Sequence, residues 1–166
     1  MLLGDGSPTR HLQLLTRKET KVKLIGMDIE QLSKKEAPEE INQLKNPLIR
    51  RQVWIENDEI SLAWAESWWN IEQVQLSLTN TKDPIWKNLT KDRSELFREV
   101  DAISIVNSAW LQKRFKAKGP FWSRNYRFFR NKKPLTIIRE VFNPSIEKWL
   151  GHGEIERFSK LYSSST

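Results

Sequence analysis

The sequence predicts an α+β fold: a single domain, mainly antiparallel β-sheet, with helices packed on it. Three observations predict this. Two pairs of alternating apolar and polar runs, 48–56 with 59–69 and 121–130 with 135–142, flank short polar segments in the manner of β-hairpins. Helical stretches fall between the hairpins rather than after every strand, so the alternation that builds a parallel sheet is missing. The chain has 166 residues and no cysteine, a length that buries one core without disulfide staples.

Taken in order, Gly4-Asp5-Gly6-Ser7-Pro8 has the composition of a turn. Thr9–Leu15 and Thr20–Ile29 read as two strands around a short polar turn, with Val22 and Leu24 alternating with lysines in the second. Gln31–Pro47 is polar, carries Pro38 and Pro47, and reads as a loop with one helical turn. The first hairpin turns at Asn57-Asp58. Asn70–Ser77 is predicted to be helical. So is Pro84–Val100, where Pro84 suits a first turn and Leu89, Leu96, Phe97 and Val100 mark one face. Ala102–Asn107 reads as a strand and Ser108–Ala117 as a short helix, before the second hairpin crosses Asn131-Lys132-Lys133-Pro134. The domain is expected to span 1–144, and Asn143-Pro144 opens a helical, then Ser-rich, tail over 145–166.

Composition excludes several kinds of chemistry. Without cysteine there is no thiolate zinc site and no cysteine nucleophile, and two distant histidines, His11 and His152, do not make a metal centre. Chemistry is left to carboxylates, Arg, Lys, Tyr and backbone groups. The formal net charge of +7 suits nucleic acid, a membrane surface or a small anionic ligand. No apolar run approaches the roughly 20 residues that span a bilayer. The opening Met-Leu-Leu-Gly-Asp-Gly lacks the pattern of a signal or transit peptide, so the chain is expected to act in a cytoplasm or an organelle interior where it is made. Basic and aromatic residues interleave over Phe121–Arg130, but strand alternation puts Trp122, Arg124, Tyr126 and Phe128 on one face. That is the pattern of a core more than of a base-stacking platform, and no nucleic-acid partner is expected. The eight tryptophans are expected in the core and the pocket wall.

Charges that break the strand alternation are the informative residues. Ile49, Arg51, Val53 and Ile55 share one face, so Arg51 is an ion among aliphatic neighbours, while Arg50 points the other way with Gln52 and Trp54. Glu140 lies likewise on a mostly apolar row with Thr136, Ile138 and Phe142. An isolated buried charge costs several kcal/mol or more, so such groups are either paired with each other or reserved for a ligand. One reading is an internal Arg51–Glu140 salt bridge. The other is a closed pocket that holds an anion by bidentate contact with Arg51 and has Glu140 at its far end. Glu66, among Leu62, Trp64 and Trp68, is expected at a structural or edge position, next to a bend near 67–70.

Six blocks occur in order: Gly4-Asp5-Gly6-Ser7-Pro8-Thr9, Leu48-Ile49-Arg50-Arg51-Gln52-Val53-Trp54, Asp83-Pro84-Ile85-Trp86-Lys87-Asn88-Leu89, Ser94-Glu95-Leu96-Phe97-Arg98-Glu99, Phe121-Trp122-Ser123-Arg124, and Lys133-Pro134-Leu135 leading to Arg139-Glu140-Val141-Phe142-Asn143-Pro144. Together they resemble chorismate pyruvate-lyase, in particular its cyanobacterial and algal-plastid branch, from about Leu2 to Pro144. The resemblance implies a chorismate lyase-like α+β domain with a ligand pocket enclosed beneath helical flaps. It also implies conversion of chorismate to 4-hydroxybenzoate, a quinone precursor, and pyruvate, with no metal and no other cofactor. The expected protein is a monomer in a cyanobacterial cytoplasm or a plastid stroma. Its carboxylate-binding arginine falls on Arg51 and its acidic residue on Glu140, with further ligand contacts at Pro8 and Ile85. Pro8 has no N–H to donate, and Trp86 stands where a small residue is expected. Arg124 is the candidate for a second carboxylate. The same fold also serves as a small-molecule-sensing domain in bacterial regulators, and that is the alternative function.

Overall fold

The computed structural model describes residues 7–29, 37–58, 60–77, 84–90 and 96–150. The chain enters on helix α1 (Pro8–Thr16) and passes to β1 (Lys21–Ile29), a 3-10 helix (Glu39–Gln43) and the hairpin β2 (Leu48–Asn57) and β3 (Ile60–Asn70). Two short helices follow, α2 (Ile71–Ser77) and α3 (Ile85–Leu89), then β4 (Phe97–Val106) and α4 (Ala109–Phe115). The second hairpin, β5 (Phe121–Arg130) and β6 (Lys133–Phe142), leads into a 3-10 helix (Pro144–Trp149). The six strands form one sheet in the order β1-β2-β3-β6-β5-β4, and every neighbouring pair is antiparallel. The α+β, antiparallel expectation holds.

Both predicted hairpins form, because each joins two alternating runs through residues that tolerate a left-handed backbone. Asp58 (φ 50°) sits in the first turn, and Asn131 (φ 51°) with Lys132 (φ 61°) makes the second. Arg130 pairs with Lys133, so that loop has two residues, both at positive φ, as a type I′ turn requires. A lysine there is strained where glycine is not. Lys132→Gly is expected to stabilise the protein by about 0.5–1 kcal/mol, read as a higher urea midpoint with an unchanged slope.

Two expectations are corrected. The segment predicted as a strand over Thr9–Leu15 is helix α1. Pro8 occupies the first helical turn, Arg17 closes the helix in a left-handed conformation (φ 56°), and Thr9, Leu12 and Thr16 are its buried residues. The short alternation of polar and apolar residues there is outweighed by this start signal and by burial of Leu12 against Val53, Ile55 and Phe142. The helix predicted over Pro84–Val100 survives only as α3, and β4 starts at Phe97. Leu96, Phe97 and Val100 fit a helical face as well as a strand, and the run of Val100, Ile103, Ile105 and Val106 settles it toward β. The segments 30–36, 78–83 and 91–95 lie outside the described residues. So do the turn at 4–6, the tail from 151 onward and the side chain of Trp86.

The sheet is covered on both faces, which explains why β3 and β6 are buried almost throughout. On the second face Trp54 and Trp64 pack with Leu111 and Phe115 of α4, while Trp68 packs with Ile41 and Leu44 from the 3-10 helix. On the first face there are two clusters. Leu12, Val53, Ile55, Ala65 and Phe142 gather under α1, and Trp69, Leu89, Tyr126, Phe128 and Ile138 gather under α2 and α3. The candidate site lies between these two clusters.

Candidate functional site

Antiparallel register decides which side chains meet on the first face. Arg51 of β2 is opposite Ser67 of β3, Ser67 opposite Ile138 of β6, and Ile138 opposite Tyr126 of β5. One step along, Val53, Ala65, Glu140 and Arg124 are aligned in the same way. Arg51 and Glu140 are therefore two strands apart and two residues offset, about 12 Å between their backbones by sheet geometry. Between them is a narrow cavity on the first face of the sheet. Its polar wall includes Arg51, Ser67, Arg98, Tyr126 and Glu140, with Ser7 and Thr9 beside α1, and its apolar wall includes Val53, Ile55, Ala65, Phe128 and Ile138. Pro8, at the first turn of α1, and Ile85, at the start of α3, close it from the helical side.

Arg51 and Glu140 are each 2% exposed, as their places on apolar rows implied. They do not neutralise each other. Glu140 accepts from the Arg124 Nε through Oε2 at 2.7 Å and from the Tyr126 hydroxyl through Oε1, also at 2.7 Å. Arg124 is fully buried and is not among the residues that line the cavity. Burial alone would lower its pKa, but the charge and hydrogen bond of Glu140 outweigh it and raise it. Burial, then the charge of Glu140, pushes the Tyr126 phenol well up, so the hydroxyl keeps its proton and donates. Burial pulls the Arg51 guanidinium down to about 10, which leaves it cationic at neutral pH. His11, on α1, is held below its ordinary value by burial and by neighbouring positive charges that include Arg124 and Arg98, so its imidazole is neutral. The site thus has a buried cation at one end and a fixed hydrogen-bond acceptor at the other. It can bind a flat ligand that has an anion and a hydroxyl at opposite ends.

Tyr126 and Arg98 are site residues that the sequence reading did not assign. Tyr126 was visible on one face with Arg124, but as part of an aromatic strand. Arg98 was placed in a helix, where its direction has no relation to the sheet. The aromatic strand is not a base-stacking platform, because Tyr126 and Phe128 are buried. Among the described residues no tryptophan lines the cavity, so the expected pocket-wall role gives way to the core and to the exposed Trp110 and Trp122. Glu66 is structural, but not at an edge or a bend. It lies on β3 inside the sheet, its carboxylate is on the second face, and it is held by Arg50 and Arg139. Among the described residues no three His, Asp or Glu side chains converge as metal ligands, and no helix is long and apolar enough to cross a membrane.

A family model described as chorismate pyruvate-lyase Rv2949c-like matches residues 2–150. The uncharacterized protein ycf21 of Cyanophora paradoxa is 36% identical over 148 residues, which cover 89% of this chain and 77% of that protein. In fold, the effector domain of PhnF from Mycobacterium smegmatis superposes with a TM-score of 0.64 at 10% identity, covering 86% of this chain and 91% of that one. A possible transcriptional regulator, YydK from Bacillus subtilis, has a TM-score of 0.61 at 13% identity, and the match takes in 76% of this chain but 58% of that one. At these identities the two structures share the fold alone.

Proposed function

The chain belongs to the Rv2949c-like chorismate pyruvate-lyase family, and from that premise we propose that it eliminates pyruvate from chorismate to give 4-hydroxybenzoate, a quinone precursor. The observation that carries the reading is the arrangement of charge across the cavity: buried Arg51 at one end, and at the other Glu140, bonded to Arg124 and Tyr126. Arg51 anchors the ring carboxylate through charge-assisted hydrogen bonds. Glu140 accepts the hydrogen bond of the ring hydroxyl, while Pro8 and Ile85 flank the ring from the helical side. The Arg124 Nε and the Tyr126 hydroxyl hold the Glu140 carboxyl group in place, so that it can orient the ring hydroxyl and assist proton movement as a general acid or base.

The reaction needs little else. The bond between C3 and the enolpyruvyl oxygen breaks, the C4 proton is lost, and the ring becomes aromatic, which supplies the driving force. The departing enolpyruvyl group gains a proton at its methylene and becomes pyruvate. That proton can come directly from C4 within the substrate. The protein's share is then to hold the reactive conformer and stabilise negative charge at the leaving oxygen. Neither a metal nor an organic cofactor enters this scheme. The protein is proposed to act as a monomer in a plastid stroma or a cyanobacterial cytoplasm.

A second reading is favoured by the fold shared with the PhnF effector domain: the same pocket binds an aromatic acid and signals without turnover. Incubation of the purified chain with chorismate, following 4-hydroxybenzoate by absorbance and pyruvate by a coupled reduction, separates the two. Equimolar release of both products is the expected result. Binding of 4-hydroxybenzoate without any release of pyruvate would instead establish the sensor.

A further inference from the structure

On the lyase reading, two ends of the substrate are accounted for and its second carboxylate is not. The enolpyruvyl arm is attached beside the hydroxyl-bearing carbon, so its carboxylate reaches the flank of the ring nearest Glu140. Two anions brought together in a poorly solvated cavity repel strongly, and a cation must lie beside that flank. Arg124 is committed to Glu140 through its Nε, is fully buried, and does not line the cavity. Arg98 does line it. This residue comes from the outermost strand, β4, paired across from Phe128. Its guanidinium carbon lies 5.1 Å from the centre of the Tyr126 ring, whose hydroxyl is bonded to Glu140.

We propose that Arg98 binds the enolpyruvyl carboxylate and is the residue that separates the dianionic substrate from the monoanionic product. The charges around the cavity fit this. Arg51 and Arg98 place two guanidinium groups on the cavity wall, and Arg124 behind it is paired with Glu140. The Glu66 carboxylate lies on the opposite face, between Arg50 and Arg139. Once pyruvate leaves, 4-hydroxybenzoate retains the contacts with Arg51 and Glu140 and loses the one with Arg98. Binding energy from Arg98 therefore favours substrate without holding product.

The test compares Arg98→Met and Arg98→Lys with the wild type by calorimetric titration, using 4-hydroxybenzoate and 4-hydroxyisophthalate. The latter adds a second carboxylate on the carbon next to the hydroxyl. Arg98→Met is expected to weaken the dianion about 10- to 100-fold and to leave 4-hydroxybenzoate within about twofold, with Arg98→Lys recovering part of the loss. The kcat/KM for chorismate should fall by the same factor as the dianion affinity. An equal loss for both ligands, no loss for either, or a wild-type protein that binds only the monoanion would each overturn the assignment. If the wild type binds both ligands but releases no pyruvate, the lyase reading fails while the ratio of the two affinities still decides the role of Arg98. If Arg98→Met does not fold, Arg98→Lys alone decides: a dianion affinity unlike the wild type's with an unchanged monoanion affinity supports the proposal, and parallel changes overturn it.

Discussion

Arg51→Met is expected to reduce kcat/KM for chorismate by about 1,000-fold while leaving the protein as stable as the wild type, or more so. The two halves of this result have one cause. Arg51 is 2% exposed on a row of Ile49, Val53 and Ile55, and burial already lowers its pKa. Folding therefore carries the cost of desolvating a cation at this position. Replacing a buried ion pair by apolar side chains of similar volume is often neutral or stabilising by about 1–4 kcal/mol, and an apolar thioether at position 51 likewise removes the cost of desolvation. The same exchange removes the charge-assisted contact that holds the ring carboxylate, and truncating a buried, hydrogen-bonded charge partner costs about 2–5 kcal/mol of binding. Activity lost together with stability kept marks a charge retained for a ligand. Urea melts beside steady-state kinetics read both quantities. A drop in stability of more than about 2 kcal/mol would assign Arg51 to the framework and remove the main support for the pocket.

Much of this site was legible in the sequence because period-2 alternation is strict inside a strand. Arg51 and Glu140 stood out as ions on apolar rows, and both point into the cavity as those rows required. The partner of Glu140 was not legible, and the reason is one residue of register. Arg130 pairs with Lys133 and Phe129 with Pro134 at the end of the second hairpin; continued without interruption, that register puts Glu140 opposite Ser123. A bulge between Phe128 and Phe129 shifts the pairing so that Arg124 faces Glu140 instead. No residue pattern announces that bulge. A second irregularity, between Val100 and Ala102 of β4, lies next to the stretch misread as helix, and it kept Arg98 out of view. The strands that carry Arg51 and Glu140 were thus found from pattern, whereas the ion pair depended on where the second hairpin departs from regularity. Helix α1 was hidden for a different reason: Pro8 was read as the end of a turn, although proline is equally suited to the first turn of a helix.

A shared fold also limits what architecture says about activity. The effector domain of PhnF shares the fold at 10% identity, so the six-stranded sheet does not by itself distinguish an enzyme from a sensor. What distinguishes them is turnover. The second arginine on the cavity wall, Arg98, bears on whether the ligand is a dianion or a monoanion.

Arg124→Met is expected to cost about 3–5 kcal/mol of stability, the largest effect of any single substitution at the site. It strands Glu140, which is 2% exposed and retains only the Tyr126 hydroxyl among the bonds described above. The contrast with Arg51→Met is informative, since both remove one buried guanidinium from the same face of the sheet. One removal relieves a cost of desolvation, and the other leaves a buried carboxylate without its ion pair. The double variant Arg124→Met, Glu140→Gln removes both charges and should recover most of the lost stability, giving a favourable coupling of several kcal/mol in a double-mutant cycle. It should not recover turnover, because an amide in place of the carboxylate is a weaker acceptor and no base for the ring hydroxyl. Denaturation midpoints of the four proteins, beside their rates with chorismate, check this. Recovery of activity in the double variant would mean that Glu140 only fills space, and near-additive stability losses would mean that Arg124 and Glu140 do not act as a pair.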